Sequence, residues 1–245
     1  MEGKTVIITG GSSGIGKSTA LEFAQKGAQV LITGRREEAL KSVASLHENI
    51  SILVADSGDP SSAELIMDTA IAKWGKLDVL VNNAGAGATA LLEDVTLEQI
   101  NNVLSVNVVG SSLLAAASIP HLKKTKGTII NVSSVIGQMP AKMIGHYGAS
   151  KAALDYLTKS WALELAPEIR VNAIAPGPTY SGALTGMMGL TEEQAAQVEE
   201  QETAGTPLQR RGVPEDISHW IVQLAEPTAS WVTGQVISVD GGFAL

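Results

Sequence analysis

The 245-residue chain carries 17 Lys and Arg against 25 Asp and Glu, a net charge of −8, which argues against a nucleic-acid binder with its basic face. With 44% hydrophobic and 17% charged residues it has the material for a buried core rather than disorder. Without cysteine it has no disulfides, thiol catalysis or thiolate metal sites, and His47, His121, His146 and His219 form no metal-ligand spacing.

The chain enters a strand-like run within its first nine residues, which leaves no room for a signal peptide and predicts a cytoplasmic protein. Short β-rich apolar runs at 6–8, 30–32, 52–54, 79–81, 129–132, 171–174 and 236–239 read as seven strands. Helix-like segments at about 16–26, 36–47, 61–74, 97–117, 147–166 and 214–225 lie between them. Strands this uniformly apolar suit a parallel sheet covered on both faces. The alternation predicts one α/β domain over residues 1–245, with a doubly wound seven-stranded parallel sheet of Rossmann type. The charge-free stretch 99–122 raises the membrane question, but Asn101, Asn102, Ser105, Asn107, Ser111, Ser112 and Ser118 make it a buried helix and not a lipid-facing one. Residues 177–212 are the least regular part, and in such a sheet a long excursion after a strand tends to carry ligand contacts.

Residues 9–16, Thr-Gly-Gly-Ser-Ser-Gly-Ile-Gly, follow the first strand and open the first helix. Glycine backbone there lets a pyrophosphate reach the helix N-terminus. The segment Gly10–Gly14 also fits a nucleophile elbow, with Asp216 and His219 as nominal partners, but an elbow normally follows several strands and this turn follows the first. Position favours a nucleotide. The second strand ends in Thr33-Gly34-Arg35-Arg36, where an NAD site usually has an acidic residue for the ribose hydroxyls. A guanidinium at Arg35 suits a 2′-phosphate, so NADP(H) is favoured and NAD(H) stays open. Asp56, with Ser57 beside it, ends the third strand and could accept from an adenine amino group.

Tyr147 and Lys151 stand one helical turn apart on one face. Ser133 and Ser134 end the fifth strand, Asn82-Asn83-Ala84-Gly85 ends the fourth, and Asn107 interrupts an apolar helical stripe. Taken together, T-G-x-x-x-G-x-G at 9–16, N-N-A-G at 82–85, Ser134, Tyr147-x-x-x-Lys151, Pro176-Gly177 and the closing Val239-Asp240-Gly241-Gly242 resemble the short-chain dehydrogenase/reductase family over essentially the whole chain.

The resemblance implies a nicotinamide cofactor, a homotetramer, and a carbonyl or secondary alcohol as small-molecule substrate. Tyr147 would be the general acid/base, its phenolate stabilised by Lys151, which would also hold the nicotinamide ribose. Ser134 would orient the substrate carbonyl, with Ser133 as its rival, and Asn107 would anchor a water linking Lys151 to solvent. The cofactor would contact Gly10, Ser12, Ser13, Gly14, Ile15, Gly16, Arg35, Arg36, Asp56, Ser57, Asn83, Ala84, Gly85, Tyr147, Lys151, Pro176, Gly177, Thr179 and Ser181. Two departures from the family's pattern stand out: Ser181 occupies a position that is often threonine, and Ser13 one that is basic in some NADP-dependent members.

The substrate pocket is expected from 86–90, 136–143 and 181–190. Met139, Met143, Met187 and Met188 suit an uncharged, fairly apolar compound, with Gln138, Lys142 and His146 adding polar contacts at the rim. A narrower alternative is a 3-oxoacyl-acyl-carrier-protein reductase, needing a basic docking patch from Lys123, Lys124 and Lys126 or from Arg210 and Arg211. A different class, a non-catalytic NADP-binding sensor, would have no need of the Ser134, Tyr147 and Lys151 set.

Overall fold

The computed structural model describes residues 1–245. All seven predicted strands form: β1 Thr5–Thr9, β2 Gln29–Gly34, β3 Ile50–Val54, β4 Val79–Asn82, β5 Thr128–Val132, β6 Arg170–Pro176 and β7 Val236–Val239. They make one parallel sheet in the order β3-β2-β1-β4-β5-β6-β7. The order reverses between β1 and β4, where Ile8 pairs with Val81, and such a switch point opens a crevice at the strands' carboxyl ends.

Strand side chains alternate between two cores. Val6, Ile8, Val30 and Ile32 pack with Phe23 of α1 (Gly14–Gln25), Leu40 of α2 (Glu37–Ala44) and Ile221 of α9 (Pro214–Ala225). Ile7, Leu31, Leu80 and Ile129 pack on the other face with Ile66 of α3 (Ser62–Trp74), Leu122 of α5 (Ser111–Thr125) and Ala162 of α6 (Gly145–Leu165). Each fully buried Ile, Leu or Phe contributes about 1.5–3 kcal/mol, so both layers hold the sheet firmly and leave its ends free for chemistry.

The predicted helix at 97–117 is a longer, composite run. α4 (Leu97–Leu104) starts with a Thr96–Gln99 capping box, passes through a π-helical turn at Ser105–Gly110 and continues as α5. The run Leu97–Thr125 is long and apolar enough to cross a membrane by length and composition, with a mean hydropathy of 1.6. Yet Leu114, Ala115 and Leu122 are part of the second core, and Asn107, Ser111 and Ser118 are buried within the protein. Beyond β6, the irregular segment holds α7 (Ala183–Gly186) and α8 (Glu192–Gly205), the latter opened by a Thr191–Gln194 capping box.

Candidate active site

The turn between β1 and α1 is built from backbone. Gly10 and Gly14 take φ of +67° and +51°, left-handed values that glycine adopts without strain. Gly16 is required for space, since a Cβ there would lie 2.4 Å from the Gly10 carbonyl oxygen and 2.5 Å from Asn83 Nδ2. Asn83 braces this contact by donating from Nδ2 to the carbonyls of Thr9 (2.8 Å) and Gly10 (3.2 Å), while Thr9 Oγ1 accepts from the N–H groups of Asn83 and Ala84. Ser13, the N-cap of α1, makes no side-chain cap, and the first turn has no acidic residue. The helix end therefore keeps free N–H groups and a positive pole, which fits the pyrophosphate of a dinucleotide.

Arg36, rather than Arg35, reaches this turn. Its Nη2 donates toward Ser12 Oγ (3.2 Å) and Ser13 Oγ (3.4 Å), whereas Arg35 is exposed and makes no hydrogen bond or ion pair. Asp56 is exposed and accepts from the Gly58 N–H at 2.9 Å, leaving its other oxygen free. Ser57 lies under the π-helical turn, its carbonyl so close that Gly110 can carry no side chain. No hydrolase relay forms at Ser12, because Asp216 pairs with Arg210 and His219 faces Glu22.

At the end of β5, Ser134, Tyr147 and Lys151 are 7%, 9% and 3% exposed, so all three sit in a largely dry environment. A 3-10 turn at Val135–Gly137 carries Ser134 and lies flush on α6. Two glycines permit this, since a Cβ at Gly137 would be 2.8 Å from Ala152 N and one at Gly148 would be 2.9 Å from the Ile136 carbonyl. Ser134 Oγ accepts from the Ile136 N–H at 3.2 Å, which leaves its own proton free to donate. The two serines divide: Ser134 is beside the phenol, while Ser133 Oγ donates back to the Lys151 carbonyl at 3.2 Å.

Burial pushes the Tyr147 phenol above its ordinary 10, and the Ser134 hydroxyl offsets part of that rise. The depression by Lys151 that the sequence suggests is absent in the protein alone, because desolvation dominates and the lysine ammonium, 5.7 Å from the ring centroid, has its own problem. Burial brings Lys151 down to about 8, opposed by the charge of Asp155. Lys151 Nζ donates to the Val132 carbonyl at 2.8 Å, leaving two donors for a ribose.

Asn107 is fully buried in the π-helical turn, a distortion common at functional sites. Its Oδ1 accepts from the Ala86 N–H at 2.8 Å, and its Nδ2 donates to the Ala86 carbonyl and to Ser150 Oγ, both at 2.9 Å. Both side-chain donors are thus engaged by protein. Asn107 is therefore a brace between the Gly85–Ala86 turn and α6. Ser150 completes the brace by donating to the Tyr147 carbonyl at 2.7 Å.

The three segments expected around the pocket do meet. The Ala90 N–H donates to the Met143 carbonyl at 2.8 Å, and Met143 holds a left-handed φ of +68°. A Cβ added to Gly87 would lie 2.7 Å from Met188 Sδ, and one at Gly85 would lie 3.9 Å from Met187 Sδ and 3.7 Å from Lys151 Nζ. Met139 is half-buried, and Gln138 Oε1 is taken by Ser238 Oγ at 3.2 Å. Gly177 backs onto Asp240, Thr179 Oγ1 donates to the Gly177 carbonyl at 2.9 Å, and Ser181 lies against Gly14.

The residues expected to form docking patches fall in different settings. Arg210 is committed to Asp216, and Arg211 is buried between Glu199 and Glu202, donating to the Thr179 carbonyl and stacking on Tyr180. Arg211 therefore anchors the 177–212 segment instead of facing a partner. Lys123, Lys124 and Lys126 are exposed, but they precede β5 and so lie at the end of the sheet opposite Ser134.

A crevice at the switch point, a glycine turn that bares a helix N-terminus and a buried Ser-Tyr-Lys cluster across the same sheet edge together define an oxidoreductase of the Rossmann type. The chain belongs to the short-chain dehydrogenase/reductase family. A family model described as enoyl-(acyl carrier protein) reductase matches residues 10–244. The chain is 38% identical over its full length to a 3-oxoacyl-(acyl-carrier-protein) reductase of Thermotoga maritima, covering 99% of that protein. It is 36% identical to a glucose 1-dehydrogenase of Gluconobacter oxydans, over 99% of this chain and 92% of that protein. Among solved structures, a 3-ketoacyl-(acyl-carrier-protein) reductase from Brucella melitensis complexed with NADH superposes with a TM-score of 0.92 at 32% identity, covering 100% of this chain and 99% of that one.

Proposed function

We propose that this chain interconverts uncharged, largely apolar ketones and secondary alcohols, with Tyr147 as general acid/base and NADP(H) preferred over NAD(H). The observation that carries the reading is the buried cluster of Ser134, Tyr147 and Lys151 opposite the bare helix N-terminus. The glycine turn, Gly85 and the two free donors of Lys151 would hold a nicotinamide dinucleotide, which would supply the hydride. In the reducing direction the Tyr147 Oη–H passes its proton to the substrate oxygen. Ser134 donates to that oxygen and stabilises the charge that develops on it. The Lys151 ammonium stabilises the phenolate that Tyr147 becomes, and Asn107 holds Ala86 and α6 in register.

The absence of an acid at Gly34–Arg35 and the approach of Arg36 to Ser12 and Ser13 support the NADP(H) preference. Met143, Met187 and Met188 support an apolar substrate, recognised within the 177–212 segment and the two loops facing it. An acyl group on a carrier protein is the second reading, supported by the names of the Thermotoga and Brucella relatives. Against it stand the committed charges of Arg210 and Arg211. Assembly as a cytoplasmic homotetramer belongs to the same proposal, supported by apolar side chains left exposed on helical faces, such as Tyr156 and Leu163 of α6 and Leu113 of α5.

The test is a panel of free ketones, secondary alcohols and carrier-linked 3-oxoacyl groups, assayed with NADPH and NADH in parallel. Turnover of apolar ketones at higher kcat/KM with NADPH is expected. Higher kcat/KM with NADH overturns the cofactor preference, and turnover confined to carrier-linked groups overturns the substrate class.

A further inference from the structure

α6 carries an ionisable group that the mechanism above does not use. Asp155 lies one helical turn beyond Lys151, where i and i+4 side chains are neighbours, and it is 9% exposed. Its Oδ1 is buried without a hydrogen-bond partner, a rare state for a carboxylate. Ser133, Gln138, Lys151 and Lys159 surround it. Ser133 Oγ directs its proton to the Lys151 carbonyl, whereas Gln138, whose Oε1 accepts from Ser238 Oγ, keeps its Nε2 donor on the side of the carboxylate. A charge kept at such a site needs a compensating charge nearby.

We propose that Asp155 is a positioning residue for Lys151, its buried carboxylate holding the lysine side chain cationic at the end of β5 through charge rather than through a hydrogen bond. Lys151 is nearly fully buried, a condition that favours the neutral amine, and its one hydrogen bond is to a carbonyl. Asp155 is the negative charge that opposes this, and the attraction is mutual: burial raises the carboxyl, and the polar groups of Ser133 and Gln138 and then the charges of Lys151 and Lys159 draw it down.

The charged or titratable groups facing this pair are Tyr147 and Lys159, both on α6. The elements packed against α6 add little. The 3-10 and π-helical turns have only neutral side chains, Arg170 of β6 donates to the Leu224 and Val232 carbonyls, and Glu98 of α4 is exposed. Asp155 thus controls how much of the neutral pH range finds Lys151 charged.

The inference rests on the catalytic reading of Lys151, and the experiment separates the two. Lysine Cε resonances are titrated by NMR in the full-length protein and in Asp155→Asn, alongside the pH profile of kcat/KM. The Asn variant should lower the Lys151 midpoint from about 8 by on the order of one unit. The alkaline limb of kcat/KM should move down with it, and Asp155→Glu should restore both. An unmoved Lys151 midpoint in Asp155→Asn overturns the proposal. A midpoint that moves without the limb upholds the coupling and removes Lys151 from catalysis. If the Asn variant does not fold, the native protein carries the test: Lys151 Cε should show an inflection where the Asp155 carboxyl titrates, and independent titration overturns the proposal.

Discussion

The turn after β1 and the cluster around Tyr147 face the same edge of the sheet and are built in opposite ways. The turn works through backbone: left-handed Gly10 and Gly14, a helix end without a cap, and Asn83 holding the carbonyls of Thr9 and Gly10. The cluster works through side chains whose ionisation is shifted by burial, braced from behind by Asn107 and Ser150. A site of backbone is broken by adding atoms, and a site of side chains by removing them.

Within the turn, the largest effect expected from adding an atom is at Gly16. Gly16→Ala forces a Cβ against the Gly10 carbonyl and Asn83. It should destabilise the fold by about 1–3 kcal/mol and abolish dinucleotide binding, measured by thermal unfolding and by titration of NADPH. Full-strength binding in this variant would mean the turn is not the phosphate site. Taking one oxygen from the other region, in Ser134→Ala, should lower kcat by about 10²–10³ while NADPH affinity stays within about twofold. An equal loss of affinity would place Ser134 in the cofactor cradle instead.

A smaller contrast separates the two arginines after β2. Arg36→Ala should reduce the preference for NADPH over NADH by roughly tenfold, and Arg35→Ala by less, because Arg36 alone reaches Ser12 and Ser13. The reverse order in kcat/KM ratios would return the role to Arg35. The mildest effect is on pH. Lys151 titrates at about 8, so its charge is present below that pH and is lost above it. Hence kcat/KM for carbonyl reduction should hold to about pH 7 and fall through about 8. The phenol, raised by burial, adds no limb in that range. A profile flat to pH 9 would contradict the role of Lys151.

The two regions also differ in how far they could be read from the sequence. The seven strands and the glycine turn stand out because alternation of apolar runs and glycine at fixed positions are local signals. Tyr147, Lys151 and Ser134 stand out because motif spacing carries them. The supports do not. Nothing local marks Ser150 as the link between Asn107 and Tyr147, or Gly137 and Gly148 as the contact that lets the Ser134 turn lie on α6. The π-helical turn is invisible to helical periodicity, since Ser105–Gly110 joins α4 to α5 without a break in the helical run. Arg211 reads as surface charge until Glu199 and Glu202, a helix away, are found to enclose it. Burial also inverts a pKa expectation: proximity of Lys151 suggests a lowered phenol, but the loss of water around Tyr147 outweighs it.

The proposed chemistry depends most directly on one oxygen atom. Tyr147→Phe removes the phenol hydroxyl and leaves the glycine turn, Lys151 and the brace at Asn107 in place. With NADPH and a ketone turned over by the native protein, the variant should lose kcat by at least about 10³ and bind NADPH with a Kd within about twofold of native. Undiminished turnover in Tyr147→Phe would contradict the assignment of Tyr147 as the acid/base and with it the proposed mechanism.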